Sequence, residues 1–320
     1  MNKYLLLLEA EIKKQRFGDK PSSLYEPIRY IMSLGGKRLR PMLTILSYSI
    51  YRADAESIIK YAAAVEAFHN FTLLHDDIMD NAPLRRGKPT VHEKWNVNTA
   101  ILSGDVMLVK VYDMFLDLEK DKLREVISLF NKCAAGVCEG QQWDMEFESK
   151  SKVTEAQYIE MIRLKTAVLL GFSLELGALL ANASVEDRKI LYDAGINLGI
   201  GFQLKDDLLD VYADKKKFGK QVGGDIIANK KTFLLITALE KAKGKEKAEL
   251  KRWLLAKKFD KRKKVKAITS LYDTLGVHSI TERKIDEYFE RGFAGLNRLS
   301  MVKNAEPLIS FAKELIDRQS

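Results

Sequence analysis

The 320-residue sequence has only two cysteines and six prolines, and it has no glycine- or serine-rich linker. Each scarcity excludes something. Cys133 and Cys138 lie five residues apart, which matches no zinc-ligand spacing. Two thiols also cannot staple a secreted scaffold, so both read as free thiols of a cytoplasmic protein. The prolines stand at 21, 27, 41, 83, 89 and 307. A proline inside a helix costs roughly 3 kcal/mol, so the proline-free span 90–306 favours long uninterrupted helices. Long apolar runs are missing as well. The longest, residues 167–183, carries Glu175 in its middle and reads as a buried core helix with no stable membrane insertion. The leucines near the N-terminus are followed at once by Glu9 and Glu11, too soon for a secretory signal, and suit an amphipathic helix.

Alternating strand-like runs with Asn-Gly or Asp-Gly turns are absent too. With 46% apolar residues the chain is globular. The spacing of apolar residues is mainly helical, as at Ile159, Ile162, Leu164, Ala167, Leu170 and Leu174. The punctuation predicts helices near 2–16, 22–34, 39–52, 54–80, 96–116, 121–147, 154–182, 185–212, 229–243, 246–256, 260–276, 279–298 and 305–318. The economical expectation is one all-α domain over 1–320, a bundle of roughly 10–13 helices. The net charge is +9, but residues 241–267 alone hold 13 Lys/Arg against 3 Asp/Glu, leaving the remainder at −1. So local an excess, without aromatic interleaving or a zinc-finger spacing, reads as a solvated edge and not as a nucleic-acid surface.

Two acidic clusters stand out. Leu73-Leu74-His75-Asp76-Asp77-Ile78-Met79-Asp80 and Phe202-Gln203-Leu204-Lys205-Asp206-Asp207-Leu208-Leu209-Asp210 each close an apolar helix with the pattern DDxxD. The outer aspartates of each share a helix face about 6 Å apart along the axis. Like charges at that spacing, near the negative end of a helix dipole, need compensation. A hard divalent cation supplies it, and Mg²⁺ takes one or two carboxylates and fills its other positions with water and phosphate oxygens. Two such walls facing each other would clamp a diphosphate.

Basic, glycine-containing loops accompany both clusters. Asn81–His92 (NAPLRRGKPTVH) follows the first, where Arg85 and Arg86 can fold back toward a diphosphate held by Asp76 and Asp80. Lys215–Thr232 follows the second. Upstream, Gly35-Gly36-Lys37-Arg38-Leu39-Arg40-Pro41 sets three cations beside a turn at a helix start, which favours an anion. It lacks the glycine spacing and hydroxyl of a P-loop.

In combination and order, GGKRLRP, LLHDDIMD with RRGKPTVH, and FQLKDDLLD with GKQVGGDIIANKKT resemble the trans-isoprenyl diphosphate synthases (polyprenyl synthetases). The resemblance implies an all-α isoprenoid synthase fold around a central cavity, usually homodimeric. It implies that Asp76, Asp77, Asp80, Asp206, Asp207 and Asp210 hold about three Mg²⁺ on an allylic diphosphate, with Arg85, Lys165, Lys220 and Lys230 on the same group. Lys37, Arg40, His69 and Arg86 match positions that bind isopentenyl diphosphate, and the oxygens of Thr166 and Gln203 positions that face a carbocation. No protein nucleophile is required, and His75 and His92 read as structural.

In that family the residues four and five positions before the first aspartate floor the elongation tunnel, here Thr72 and Phe71. An aromatic there, with no insertion in the motif, resembles synthases of short products, geranylgeranyl diphosphate first and farnesyl diphosphate second. On a helical wheel Thr72 lies about 40° from Asp76 and Phe71 about 140°. Three rival readings are a terpene cyclase or head-to-head synthase, a non-catalytic subunit of the same fold, and a nucleic-acid-binding helical protein. The first would lack the GGKRLRP and RRGKPTVH loops, and the second would tend to lose aspartates.

Overall fold

The computed structural model describes residues 2–15, 17–213 and 223–317, the side chains of Leu315 and Asp317 apart. Helices dominate, as their spacing predicts: α1 (Asn2–Lys14), α2 (Ser22–Ser33), α3 (Leu39–Ser49), α4 (Ile59–Met79), α5 (Val91–Lys94), α6 (Val97–Phe115), α7 (Lys120–Ser149) and α8 (Glu155–Ile162). Then come α9 (Val168–Leu180), α10 (Val185–Tyr212), α11 (Gly224–Ala228), α12 (Phe233–Lys241), α13 (Gly244–Leu255), α14 (Lys261–Thr274), α15 (Val277–Leu296) and α16 (Glu306–Asp317). Among the described residues no helix is long and apolar enough to cross a membrane.

Three departures from the expected helices have local causes. The predicted helix 54–80 opens as a 3₁₀ turn, Ala55–Ile58, before α4. The predicted helix 154–182 is interrupted at Arg163–Ala167 by a π-turn, which takes in an extra residue and is common at functional sites. The predicted helix 229–243 starts only at Phe233, because Asn229 takes a left-handed conformation (φ 56°) that ends α11. A small hairpin, unforeseen in the sequence, joins β1 (Leu84–Arg85) to β2 (Lys88–Pro89). Its two turn residues, Arg86 (φ 53°) and Gly87 (φ 74°), both have positive φ, as a tight two-residue hairpin turn requires.

Packing divides the chain into two compact units. The first comprises Met1–Cys133, Phe172–Tyr192 and Arg298–Phe311. Its centre is α4, buried by Ala62, Ala63, Ala64, Val65, Ala67 and Phe68, with α1, α3 and α6 against it. The alanines let neighbouring helices approach, and aromatic rings fill the remaining space, with Phe130 meeting Phe68 edge-on at 4.9 Å and Tyr112 at 5.1 Å. The second unit comprises Ala134–Gly171, Asp193–Asn297 and Ala312–Ser320. It packs α12 against α15, α14 against α11 and α13, and the edge of Phe202 on Phe289.

Close helix approach rests on glycine at a few points. A Cβ on Gly177 would meet the Thr44 carbonyl oxygen of α3 at 2.1 Å, whereas one on Gly136 would meet nothing nearer than 3.4 Å. Gly177→Ala is therefore expected to destabilise the protein by about 1–3 kcal/mol through overpacking. Gly136→Ala should be neutral or stabilise it by up to about 1 kcal/mol through helix propensity. Urea unfolding of both variants checks the contrast.

Candidate active site

In the first unit the two aspartate-motif positions Asp76 and Asp80 lie at the C-terminal end of α4, Asp76 half-buried and Asp80 exposed. The middle aspartate is different. Asp77 is buried, and Arg85 grips it with both ends of its guanidinium, Nε donating to Oδ1 and Oδ2 at 2.9 and 2.8 Å and an Nη to Oδ1 at 2.7 Å. Burial pushes the Asp77 carboxyl above its usual range, opposed by this bond. The β1–β2 hairpin brings Arg85 back onto the helix end, and its guanidinium also comes within 3.9 Å of Asp76. Arg86, one residue on in the turn, goes elsewhere: its guanidinium lies against Gly36, where any Cβ would approach it to 2.8 Å. Adjacent arginines thus serve two places.

His69 sits seven residues before Asp76 on α4 with its Nε2 3.1 Å from an Nη of Arg40. An arginine can only donate, so Nε2 accepts and the proton is on Nδ1. Burial, followed by Arg40, Arg86, Arg85 and Arg38, drives the His69 pKa well below its usual value. A neutral imidazole among guanidiniums makes this part of the unit electropositive. Lys37 is exposed on the adjoining turn. Arg86 also borders an open groove of about 530 Å³ with Lys88, Lys94 and Tyr30.

One cation of the GGKRLRP turn is not available to a ligand. Arg38 is buried, donating to Glu66 at 2.6 Å, to Glu9 at 2.8 Å and to the Met32 carbonyl at 3.2 Å. Glu66 is itself buried and accepts from Asn70. The network anchors the turn that presents Lys37 and Arg40. Its sequence signal was Glu66, a single acid in the apolar stretch AAAVEAF.

Phe71 is buried, 5.6 Å from Phe68 and 4.7 Å from His75 between ring centroids, and Thr72 turns its hydroxyl to the His69 carbonyl. His75 packs against Gly104 of α6, and the His92 side chain is largely buried.

In the second unit a cavity of about 120 Å³ collects Lys165, Thr166, Gln203, Asp207 and Lys230. Asp144, Tyr158 and Asp225 line it too, and sequence reasoning did not single these out. Lys165 and Thr166 project from the π-turn, and Gly140 of α7 permits its backbone to come close, since a Cβ there would strike the Lys165 nitrogen at 2.2 Å. Lys165 Nζ donates to Asp144 at 2.6 Å. Thr166 donates to the Gln203 oxygen at 2.9 Å, and Gln203 donates to Asp207 at 3.0 Å. Asp207 also accepts a short bond from the Tyr158 hydroxyl.

The middle aspartate is again the buried one, while Asp206 is exposed and Asp210 half-buried. Burial raises the Asp207 pKa well above its ordinary value, and Asp225 raises it further. Asp225 is pushed up to about 6 by burial and then by Asp210, whose carboxylate accepts from the Asp225 backbone N–H at 3.0 Å. Three aspartates (Asp144, Asp207 and Asp225) and three lysines (Lys165, Lys230 and Lys231) thus line the cavity together. Among the described residues no group of three His, Cys, Asp or Glu forms a ready metal cage. The donor set is all oxygen, which suits a hard cation that completes its shell with water and phosphate. Lys220, expected to contribute here, lies outside the described residues.

The family model for polyprenyl synthetases matches residues 21–272. The chain belongs to the polyprenyl synthetase family. It is 42% identical over 236 residues to a short chain isoprenyl diphosphate synthase of Methanocaldococcus jannaschii, covering 73% of this chain and 72% of that one. It is 36% identical over 314 residues to a geranylgeranyl pyrophosphate synthase of Geoglobus acetivorans, covering 98% and 96%. A crystal structure of a geranylgeranyl pyrophosphate synthase superposes with a TM-score of 0.93 at 42% identity, over all of this chain and 98% of that one. This polyprenyl synthetase is thus an all-α prenyltransferase with the isoprenoid synthase fold.

The turn-anchoring network yields a stability test. Arg38→Met strands buried Glu66 without its cation and should cost about 3–5 kcal/mol. Arg38→Met combined with Glu66→Leu should recover most of that loss, measured by denaturant unfolding.

Proposed function

We propose that the protein condenses isopentenyl diphosphate head to tail with an allylic diphosphate, giving geranylgeranyl diphosphate as its main product, with farnesyl diphosphate as the alternative. The observation that carries this reading is the ring of guanidiniums around neutral His69. Arg40 and Arg86 there give a polyanion cationic partners, and the arrangement stands beside the aspartate motif of the same unit. In this reading the whole chain works as one catalytic domain, cytoplasmic and homodimeric. The exposed apolar side chains Ile101, Leu102 and Val109 on α6 support a second copy as partner.

Lys37, Arg40, His69 and Arg86 bind the isopentenyl diphosphate. Because His69 is neutral, the charge in this pocket is carried by groups that cannot lose it near neutral pH. Both aspartate motifs act on the allylic diphosphate, together with Arg85, Lys165, Lys220 and Lys230. Asp76, Asp80, Asp206 and Asp210 are the aspartates open to Mg²⁺, about three ions per site. Asp77 braces Arg85, and Asp207 braces Gln203. When bound, Mg²⁺ neutralises charge on the departing diphosphate.

Thr166 and Gln203 turn oxygen toward the carbon that becomes positive as the allylic C–O bond breaks. Their mutual hydrogen bond fixes that orientation. The double bond of isopentenyl diphosphate attacks this carbon, and the proton lost from the adduct leaves with pyrophosphate. No side chain of this protein has to act as a nucleophile. Phe71, held between Phe68 and His75, limits the length of the growing chain.

The assay is radiolabelled isopentenyl diphosphate with an allylic primer and Mg²⁺, followed by chromatography of the products. Elongation is expected, abolished by EDTA and reduced on the order of 10³-fold by Asp76→Ala or by Asp206→Ala. Rates near those of the unaltered enzyme in either variant sink the proposal, and failure to incorporate label favours a cyclase. In the same assay Phe71→Ala should shift products to longer chains; an unchanged distribution removes Phe71 from the floor.

A further inference from the structure

We propose that Lys264, on the basic helix α14, is a positioning residue that clamps segment 225–232 and so places Asp225, Lys230 and Thr232 in the cavity of the second unit. Twelve other basic residues share its stretch, 241–267. Lys264 differs from its neighbours Lys261, Arg262, Lys263 and Lys266, which are all exposed. Its side chain is buried, and it makes no ion pair among the described residues. A buried ammonium without a carboxylate is costly, so its three N–H bonds must be well used. Here they are. Nζ donates to Asn229 Oδ1 at 2.6 Å and to the Ile227 carbonyl at 3.2 Å, and it lies 4.3 Å from the centre of the Phe259 ring.

Both protein acceptors belong to one short stretch. Ile227 is in α11, and Asn229 is the left-handed residue that ends it. Asn229 is held at its other end too, its Nδ2 donating to the Leu254 carbonyl of α13 at 3.1 Å. At the start of the stretch, the Asp225 N–H is fixed by the Asp210 carboxylate and the Gly223 N–H by the Asp210 carbonyl. The Lys230 N–H then returns to the Asp225 carbonyl at 3.0 Å. Residues 223–230 are thus tied at one end to the second aspartate motif and at the other to Lys264. Releasing the second tie frees the carbonyl end of α11 and the αL residue from which Lys230, Lys231 and Thr232 depart toward the cavity.

The kinetic consequence rests on the reading of that cavity as part of the allylic diphosphate site; the structural consequence does not. Lys264→Met keeps the bulk and removes the donors. Amide hydrogen exchange of the full-length protein should show residues 225–232 exchanging at least about tenfold faster in this variant, with α15 unaffected. In the elongation assay kcat should fall roughly 10- to 100-fold, the scale expected when a positioned group shifts by about 1 Å. KM for isopentenyl diphosphate should stay constant, and Lys263→Met should match the unaltered enzyme in both measurements. If Lys264→Met does not fold, Asn229→Gly removes the same acceptor while tolerating positive φ, and the same pair of results is expected.

Unchanged exchange over 225–232 overturns the clamp. Faster exchange with unchanged kcat overturns the positioning role and leaves only a structural one. An unaltered enzyme that elongates nothing overturns the functional reading instead, with the exchange result still deciding the clamp.

Discussion

Like charge gathered at short range is the constraint on which the rest of this protein depends. One unit holds guanidiniums around a single imidazole, and the other holds Asp144, Asp207, Asp210 and Asp225 around or beside one small cavity. Neither arrangement is stable by itself in a medium of low dielectric constant. The fold tolerates them because most of each charge set is tied internally. Asp77 is tied to Arg85, Lys165 to Asp144, Asp207 to Tyr158 and Gln203, and Arg40 to His69. What the internal ties leave over is the charge that substrate and cation would meet.

The two aspartate motifs solve this in the same way. In each, the middle residue turns into the protein, while the outer pair stays nearer solvent. A DDxxD stretch on a helix is thus two arrangements in five residues: an outer pair at i and i+4 nearer solvent, and a buried brace between them. The brace differs in kind, a guanidinium in one motif and a phenol with an amide in the other.

The helices, the aspartate motifs and the family were legible in the sequence, because apolar spacing and acid patterns are local. What was illegible depended on distant partners. Arg38 stood among three cations beside a turn, and only the fold delivers Glu66 and Glu9 to it. Asp144 was one acid among several on α7, and nothing nearby marked it as the partner of Lys165. Tyr158 carried no signal at all. Asp225 lay inside the GGDII stretch and was passed over because it belongs to no DDxxD pattern. The hairpin at 84–89 was missed for a different reason: its turn is Arg-Gly, and the sequence signs sought were Asn-Gly and Asp-Gly.

The π-turn at Arg163–Ala167 has an effect on everything beyond it. One surplus residue in a turn rotates the following side chains by about 100° relative to a regular helix. Without it residues 168–171, all buried, would stand about 100° away from where they do relative to Glu155–Ile162. Losing Arg163 or Leu164 would let this segment continue as a regular α-helix. The same loss would turn Lys165 and Thr166 away from their partners, so smoothness of this helix and possession of the site are mutually exclusive.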